Sequence, residues 1–217
     1  MKNISLLFGI LLLHGCSLLS GNNIAPGYIE AYKSIKNIVL GYEDDSLTQE
    51  LVDNIPYASS VLKIGKGPSG LIILETINKN VLTWVSADDV YLIIKDGRII
   101  RTEGLTNNLT NYILPFRSNF LEYKDGETFT YYVSYDFPSL TDLKLEANLK
   151  FKGKQNVKVF KKEMELSLVE EVIENKFIGW KVKNRYWVDK DNFVWKSEQY
   201  ISPKLPKFVI EVTKKPS

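Results

Sequence analysis

Cys16 and His14 are the only cysteine and the only histidine in this 217-residue chain. A thiol and an imidazole two positions apart suggest an activated thiolate nucleophile or part of a metal site. Their setting argues against both. Lys2 opens the chain with a positive charge, and residues 6–13 form an apolar run. That run is far below the ~20 residues needed to span a bilayer. Positive start, short apolar stretch and small residue before the cut make the pattern of a cleaved secretory signal.

The residues Leu13-His14-Gly15-Cys16 resemble the lipobox of bacterial lipoproteins. The resemblance implies that the Cys16 sulfur takes a diacylglyceryl group and that the chain is cut just before it. The new amino group is often acylated too, so chains such as palmitate would hold the protein on a membrane, at ~0.8 kcal/mol per buried CH₂. The expected organisation is a leader over 1–15, lipidated Cys16 with a polar tether over 16–25, and a single β-rich domain over 26–217. A mature chain of this kind lacks histidine and free thiol. It then has no Ser-His-Asp triad, no Cys-His nucleophile, no His- or Cys-ligated metal and no disulfide.

Other chemistry is weakly signalled. The net charge is +2 with 25% charged residues, which points to no nucleic acid partner. "GKGPSG", residues 65–70, fits a dinucleotide fingerprint by letter, but a β-rich "LIILET" follows where a helix is needed, and Pro68 removes an amide. "DKDN", residues 189–192, opens like a calcium loop. Val194 and Tyr200 then stand where Gly and Glu belong, so a hairpin turn is expected. Asn108-Leu109-Thr110 fits a glycosylation acceptor, which a bacterial lipobox makes irrelevant. No metal and no cofactor is therefore expected. Carboxylates remain: Asp88, Asp89, Glu103, Glu122, Asp125 and Asp136. A glycosidase needs two across one bond, whereas these fall at expected turns and strand ends.

Aromatic residues number 26, or 12% of the chain. Their rings can stack on sugars, although core packing is commoner. A turn at 189–192 would pair Val188 with Phe193, Trp187 with Val194 and Tyr186 with Trp195. Tyr186, Val188, Phe193 and Trp195 then share the core face. Trp187 faces away with Arg185 and Lys196, which makes it a candidate contact for a ligand or partner.

These residues must be positioned by the elements around them. Ile29, Tyr32, Ile35, Ile38, Val39 and Tyr42 recur at helical steps, and Ser46 with Gln49 offers a capping box for a second helix that Pro56 stops. Beyond residue 56 the period becomes two. Leu143, Leu145, Ala147, Leu149 and Phe151 alternate with polar residues. A turn is expected over 152–156, a bulge near Lys161-Lys162, and further strands over 175–184, 185–201 and 206–215 joined by short polar turns. Asp96-Gly97 is a two-residue hairpin turn that would pair Ile94 with Ile99 and Ile93 with Ile100. Both faces of that hairpin are apolar, so the N-terminal helices are expected to cover one. The fold class is mainly β: a curved antiparallel meander or barrel of roughly ten strands with helices packed against it.

The stretch 56–109 holds Pro56-Tyr57-Ala58-Ser59, Gly65 and Gly67-Pro68, then Trp84, Ser86 and Asp88. It continues with Gly97-Arg98-Ile99, Arg101-Thr102, Gly104-Leu105 and Asn108-Leu109. It resembles the YjbF/GfcB family of outer-membrane lipoproteins associated with group 4 capsule and exopolysaccharide production. The resemblance implies a non-enzymatic lipoprotein, anchored in the outer membrane through Cys16 and facing the periplasm. Ser17 is not the Asp that resembles an inner-membrane retention signal. The role implied is secretion or assembly of a polysaccharide, in contact with the glycan or with other export proteins. It brings no catalytic residue. Trp84, Asp88, Arg98, Arg101 and Trp187 are the candidate glycan or partner contacts. Arg98 could meet an acidic sugar or pair with a nearby acid. Two alternatives stay open: a carrier holding a lipid in a barrel hollow, which requires a dry cavity of several hundred Å³, and a carboxylate-based glycan-processing enzyme.

Overall fold

The computed structural model describes residues 47–113, 117 and 119–216. Cys16, the tether, Ser46 and the helix expected around 29–42 lie outside the described residues. A short helix, α1 (Gln49–Asp53), comes first. Its N-cap is Thr48, whose Oγ1 accepts from the Leu51 amide at 3.1 Å, and Val52 is its buried residue.

Twelve strands follow: β1 (Ser59–Ile64), β2 (Ser69–Asn78), β3 (Val81–Ser86), β4 (Tyr91–Lys95), β5 (Arg98–Glu103), β6 (Leu109–Ile113), β7 (Thr128–Tyr135), β8 (Leu140–Val159), β9 (Lys162–Asn175), β10 (Trp180–Val188), β11 (Val194–Gln199) and β12 (Phe208–Lys214). They form one antiparallel sheet in the order β5-β4-β3-β2-β1-β12-β11-β10-β9-β8-β7-β6. β1 pairs with β12, so the two ends of the strand series are zipped together. The two sheet edges are the consecutive strands β5 and β6. They meet where the Leu109 amide donates to Thr102 Oγ1 at 3.0 Å. The result is a nearly closed barrel-like sheet, in agreement with the mainly β class read from the sequence.

Period two accounts for the core. Leu143, Leu145, Ala147 and Leu149 of β8 are buried. Leu62, Ile72, Trp84, Leu92, Ile94 and Ile210 pack as one interior cluster; Tyr131, Val133, Leu145 and Ile173 belong to a second, and Phe120, Leu149, Val169 and Tyr186 to a third. About eight strands make a barrel that strand side chains alone can fill. Twelve enclose more, so something else must occupy the lumen. Part is taken by Phe120 and Tyr123 from the β6–β7 connection, and part by long polar side chains that reach across. Gln199 of β11 accepts from the Ile99 amide at 3.0 Å and donates to the Gly97 carbonyl at 2.9 Å, bridging strands that are not neighbours in the sheet.

Several local expectations need correction. The segment 152–156 is strand rather than turn: β8 runs on to Val159, and the turn is Phe160-Lys161. The bulge falls between Phe151 and Lys154. β10 continues through Asn184-Arg185, so the two expected segments there are one strand. The hairpin register is also shifted, pairing Val188 with Val194, Trp187 with Lys196 and Tyr186 with Ser197. The cause is Asp189. Its Oδ1 accepts from the amides of Asp191 and Phe193, both at 2.9 Å, and its Oδ2 accepts from Trp195 Nε1 at 2.9 Å, closing a longer turn. In the β4–β5 hairpin Ile94 pairs with Ile99 as expected, but a bulge then sets Ile93 against Arg101.

Candidate functional site

One end of the barrel carries the β2–β3, β4–β5 and β10–β11 turns and the end of β12. The chain also enters the barrel at this end, because Ser59 at the start of β1 faces Lys214. Two features lie inside it, side by side.

The first is a buried charge pair. Glu171 sits in β9 at the same parity as Val169 and Ile173, which turns its carboxylate into the barrel. Arg98 follows the Asp96-Gly97 turn and meets it. Its Nε and Nη2 donate to Glu171 Oε1 at 3.2 and 3.1 Å, and both residues are only 1% exposed. Tyr186 donates its hydroxyl to Glu171 Oε2 at 2.9 Å. The guanidinium lies over the Phe120 ring at 4.1 Å. Burial opposes the charge on Arg98, but Glu171 beside it outweighs this and raises its pKa above the ordinary value. Burial raises the phenols of Tyr112, Tyr131 and Tyr186 well above the usual range, so all three stay neutral. A cavity of about 10 Å³ beside this group holds at most about one water. The pair is a closed, satisfied network with no room for a substrate.

The second is a cavity of about 520 Å³. Its walls include Leu82, Trp84, Ile94, Ile210 and Val212, and its rim includes Lys79, Asp96, Asp191, Asn192 and Lys215. Two side-chain atoms on it have no hydrogen-bond partner among the described residues: Ser60 Oγ and Asn192 Oδ1. Gly97 shapes the adjoining turn. It has φ +82°, and a Cβ there would lie 2.2 Å from Val194 Cγ2.

The sequence candidates do not converge on either feature. Trp84 is buried in the core and lines the large cavity. Arg98 is in the charge pair. Arg101 is 57% exposed on the outer face and pairs with Glu103 at 2.7 Å. Asp88 is exposed in the β3–β4 turn at the opposite end, where it accepts from Ser86 Oγ. Trp187 points outward, as its parity requires, yet is only 7% exposed. Beyond its bulge the β8–β9 hairpin folds back over the outer face of β10 to β12. There Val159 and Leu166 cover the indole, and the Phe160 amide reaches Glu211 at 2.7 Å. Of the acids named as catalytic candidates, Asp125 and Asp136 tie loops to neighbouring strands, and Glu103 pairs with Arg101. Asp125 accepts from the Phe151 amide. Asp136 accepts from the Asn108 amide and side chain at 2.7 and 2.8 Å, and the Asn108 side-chain bond holds its carboxyl below the usual range.

Sequence reading missed Glu171 and Ser60. Glu171 was detectable as an acid at core parity in "LVEEVIE". Ser60 carried no such signal, because β1 is buried on both faces and shows no alternation.

Comparison with known proteins places this architecture. The solved structure of the hypothetical lipoprotein YmcC from Escherichia coli (K12) matches with a TM-score of 0.70 over 91% of this chain and 99% of that one, at 19% identity, which bears on the fold. The uncharacterized lipoprotein YjbF of Escherichia coli (strain K12) is 25% identical over 205 residues, covering 93% of this chain and 92% of that protein. The uncharacterized lipoprotein GfcB of the same strain is 24% identical over 154 residues, covering 68% of this chain and 71% of that protein. The model of the family described as group 4 capsule polysaccharide lipoprotein GfcB, YjbF, matches residues 32–213, from before the first described helix into the last strand. This chain belongs to that family.

Proposed function

We propose that the protein is a non-enzymatic lipoprotein of the outer membrane, anchored through acyl chains on Cys16 and facing the periplasm. It takes part in secreting or assembling a capsular or extracellular polysaccharide, through contacts with the glycan or with other export proteins. The family match over residues 32–213 carries this reading. The leader and Cys16 supply the anchor; among the described residues no helix is long and apolar enough to cross a membrane. Of the candidate contacts, Asp88 and Arg101 are within reach of a large ligand. Deleting the gene and quantifying surface polysaccharide tests the reading. A fall in cell-surface polymer, restored by the wild-type gene, is expected; unchanged amount and export would overturn it.

The cavity of about 520 Å³ favours a second reading, in which the barrel carries an apolar ligand. Its volume lies in the range of small-molecule sites, ~300–1,000 Å³, and its walls are largely hydrocarbon.

A further inference from the structure

We infer that the large cavity seats one acyl chain joined to its head through a neutral carbonyl linkage, an ester or amide. This rests on the carrier reading above and names its ligand. The walls are mostly aliphatic, with Leu82, Ile94, Ile210 and Val212 around Trp84. Apolar cavities of this kind favour hydrocarbon over water. The walls are not wholly apolar, however. Ser60 is fully buried, and its hydroxyl has no partner among the described residues; nor has Asn192 Oδ1. A buried polar atom left unpaired is costly. Pure hydrocarbon would leave both orphaned. A linkage carbonyl can accept from the Ser60 hydroxyl, and a donor on the ligand's head at the rim can serve Asn192 Oδ1. The rim carries both signs, Lys79 and Lys215 against Asp96 and Asp191. A mixed rim gives no net attraction for a free carboxylate, which is why the linkage is assigned as neutral.

The mouth lies at the end where the chain enters the barrel, so the acyl chain has two sources. It is either one borne on Cys16, which residues 17–46 can bring back at up to ~3.3 Å per residue, or a lipid drawn from the membrane. The test uses the mature chain with Cys16→Ser and methyl cis-parinarate, an acyl ester that fluoresces when shielded from water, below its aggregation concentration. Saturable one-to-one binding is expected. Leu82→Trp, which narrows the cavity, should weaken it. Ser60→Ala should weaken it about fivefold, the worth of one hydrogen bond, while leaving the thermal midpoint unchanged or higher. N-phenylnaphthylamine, an apolar probe without an acyl chain, separates the two levels. If it binds and the ester does not, the acyl assignment fails and the carrier reading stands; if neither binds, both fail. Ester binding that Leu82→Trp and Ser60→Ala leave unchanged would also overturn the assignment. The same titration on lipidated protein identifies the source. A blocked cavity points to the chain's own anchor, and binding equal to that of Cys16→Ser points to an external lipid.

Discussion

Removing Arg98 should be far more damaging than removing Arg98 together with Glu171. At 3.1 Å and an effective dielectric constant near 20, the attraction between the two charges is about 5 kcal/mol. Taking each ion out of water costs several kcal/mol, so the intact pair contributes little net stability. Half a pair is different. In Arg98→Met the Glu171 carboxylate keeps, among the described residues, the Tyr186 hydroxyl, and the substitution should cost about 3–5 kcal/mol. Glu171→Leu takes the carboxylate counter-charge away from the buried guanidinium, with a similar loss. The double variant Arg98→Met with Glu171→Leu replaces the pair by hydrocarbon of similar reach. Tyr186 then still has Gln199 Oε1 nearby, 3.5 Å away. It should lie within about 1–2 kcal/mol of wild type, a coupling of at least about 3 kcal/mol. Urea unfolding followed by tryptophan fluorescence measures all four proteins. Single losses below about 1 kcal/mol that simply add would refute the claim that this pair is dry and mutually dependent.

Other consequences of the fold are equally direct. Gly97→Ala should destabilise by more than the ~1 kcal/mol of a positive-φ penalty alone, because its Cβ would overlap Val194; thermal unfolding reads this, and an unchanged midpoint would contradict the packing. Trp187→Ala should cost about 3–5 kcal/mol, and its hydrogen exchange should rise across residues 154–167. Trp187→Phe should be mild, since the indole N–H has no partner among the described residues. Above about pH 10 stability should fall. Burial raises the pKa of Tyr112, Tyr131, Tyr135 and Tyr186 in the folded state. The unfolded chain therefore releases protons first, and each further rise in pH favours it. Ultraviolet titration should show these phenols ionising only as the protein unfolds.

The sequence made the β class legible because β8 alternates cleanly from Leu143 to Leu149 and because Asp96-Gly97 can close only a tight hairpin. It did not make closure legible. β1 and β6 are short and unpatterned, and no local signal says that β1 pairs with β12. Register was lost wherever side chains held a turn open, as Asp189 does. Parity aimed Trp187 correctly, but parity knows only the strand's own two faces, and a distant hairpin covers the outer one. Arg98 stands out through the family motif Gly97-Arg98-Ile99. Its partner is about seventy positions away, so only Glu171's awkward parity could have announced it. The cavity is a consequence of strand number, which the turns undercounted.

The anchor on residue 16 is the central claim, since it places the barrel at a membrane and removes the chain's thiol and imidazole. Mass spectrometry of the N-terminal peptide from protein extracted out of native membranes tests it most directly. The account predicts a peptide that begins at Cys16 and carries the added mass of its acyl chains. A free sulfhydryl at Cys16, or a peptide still bearing residues 1–15, would contradict it.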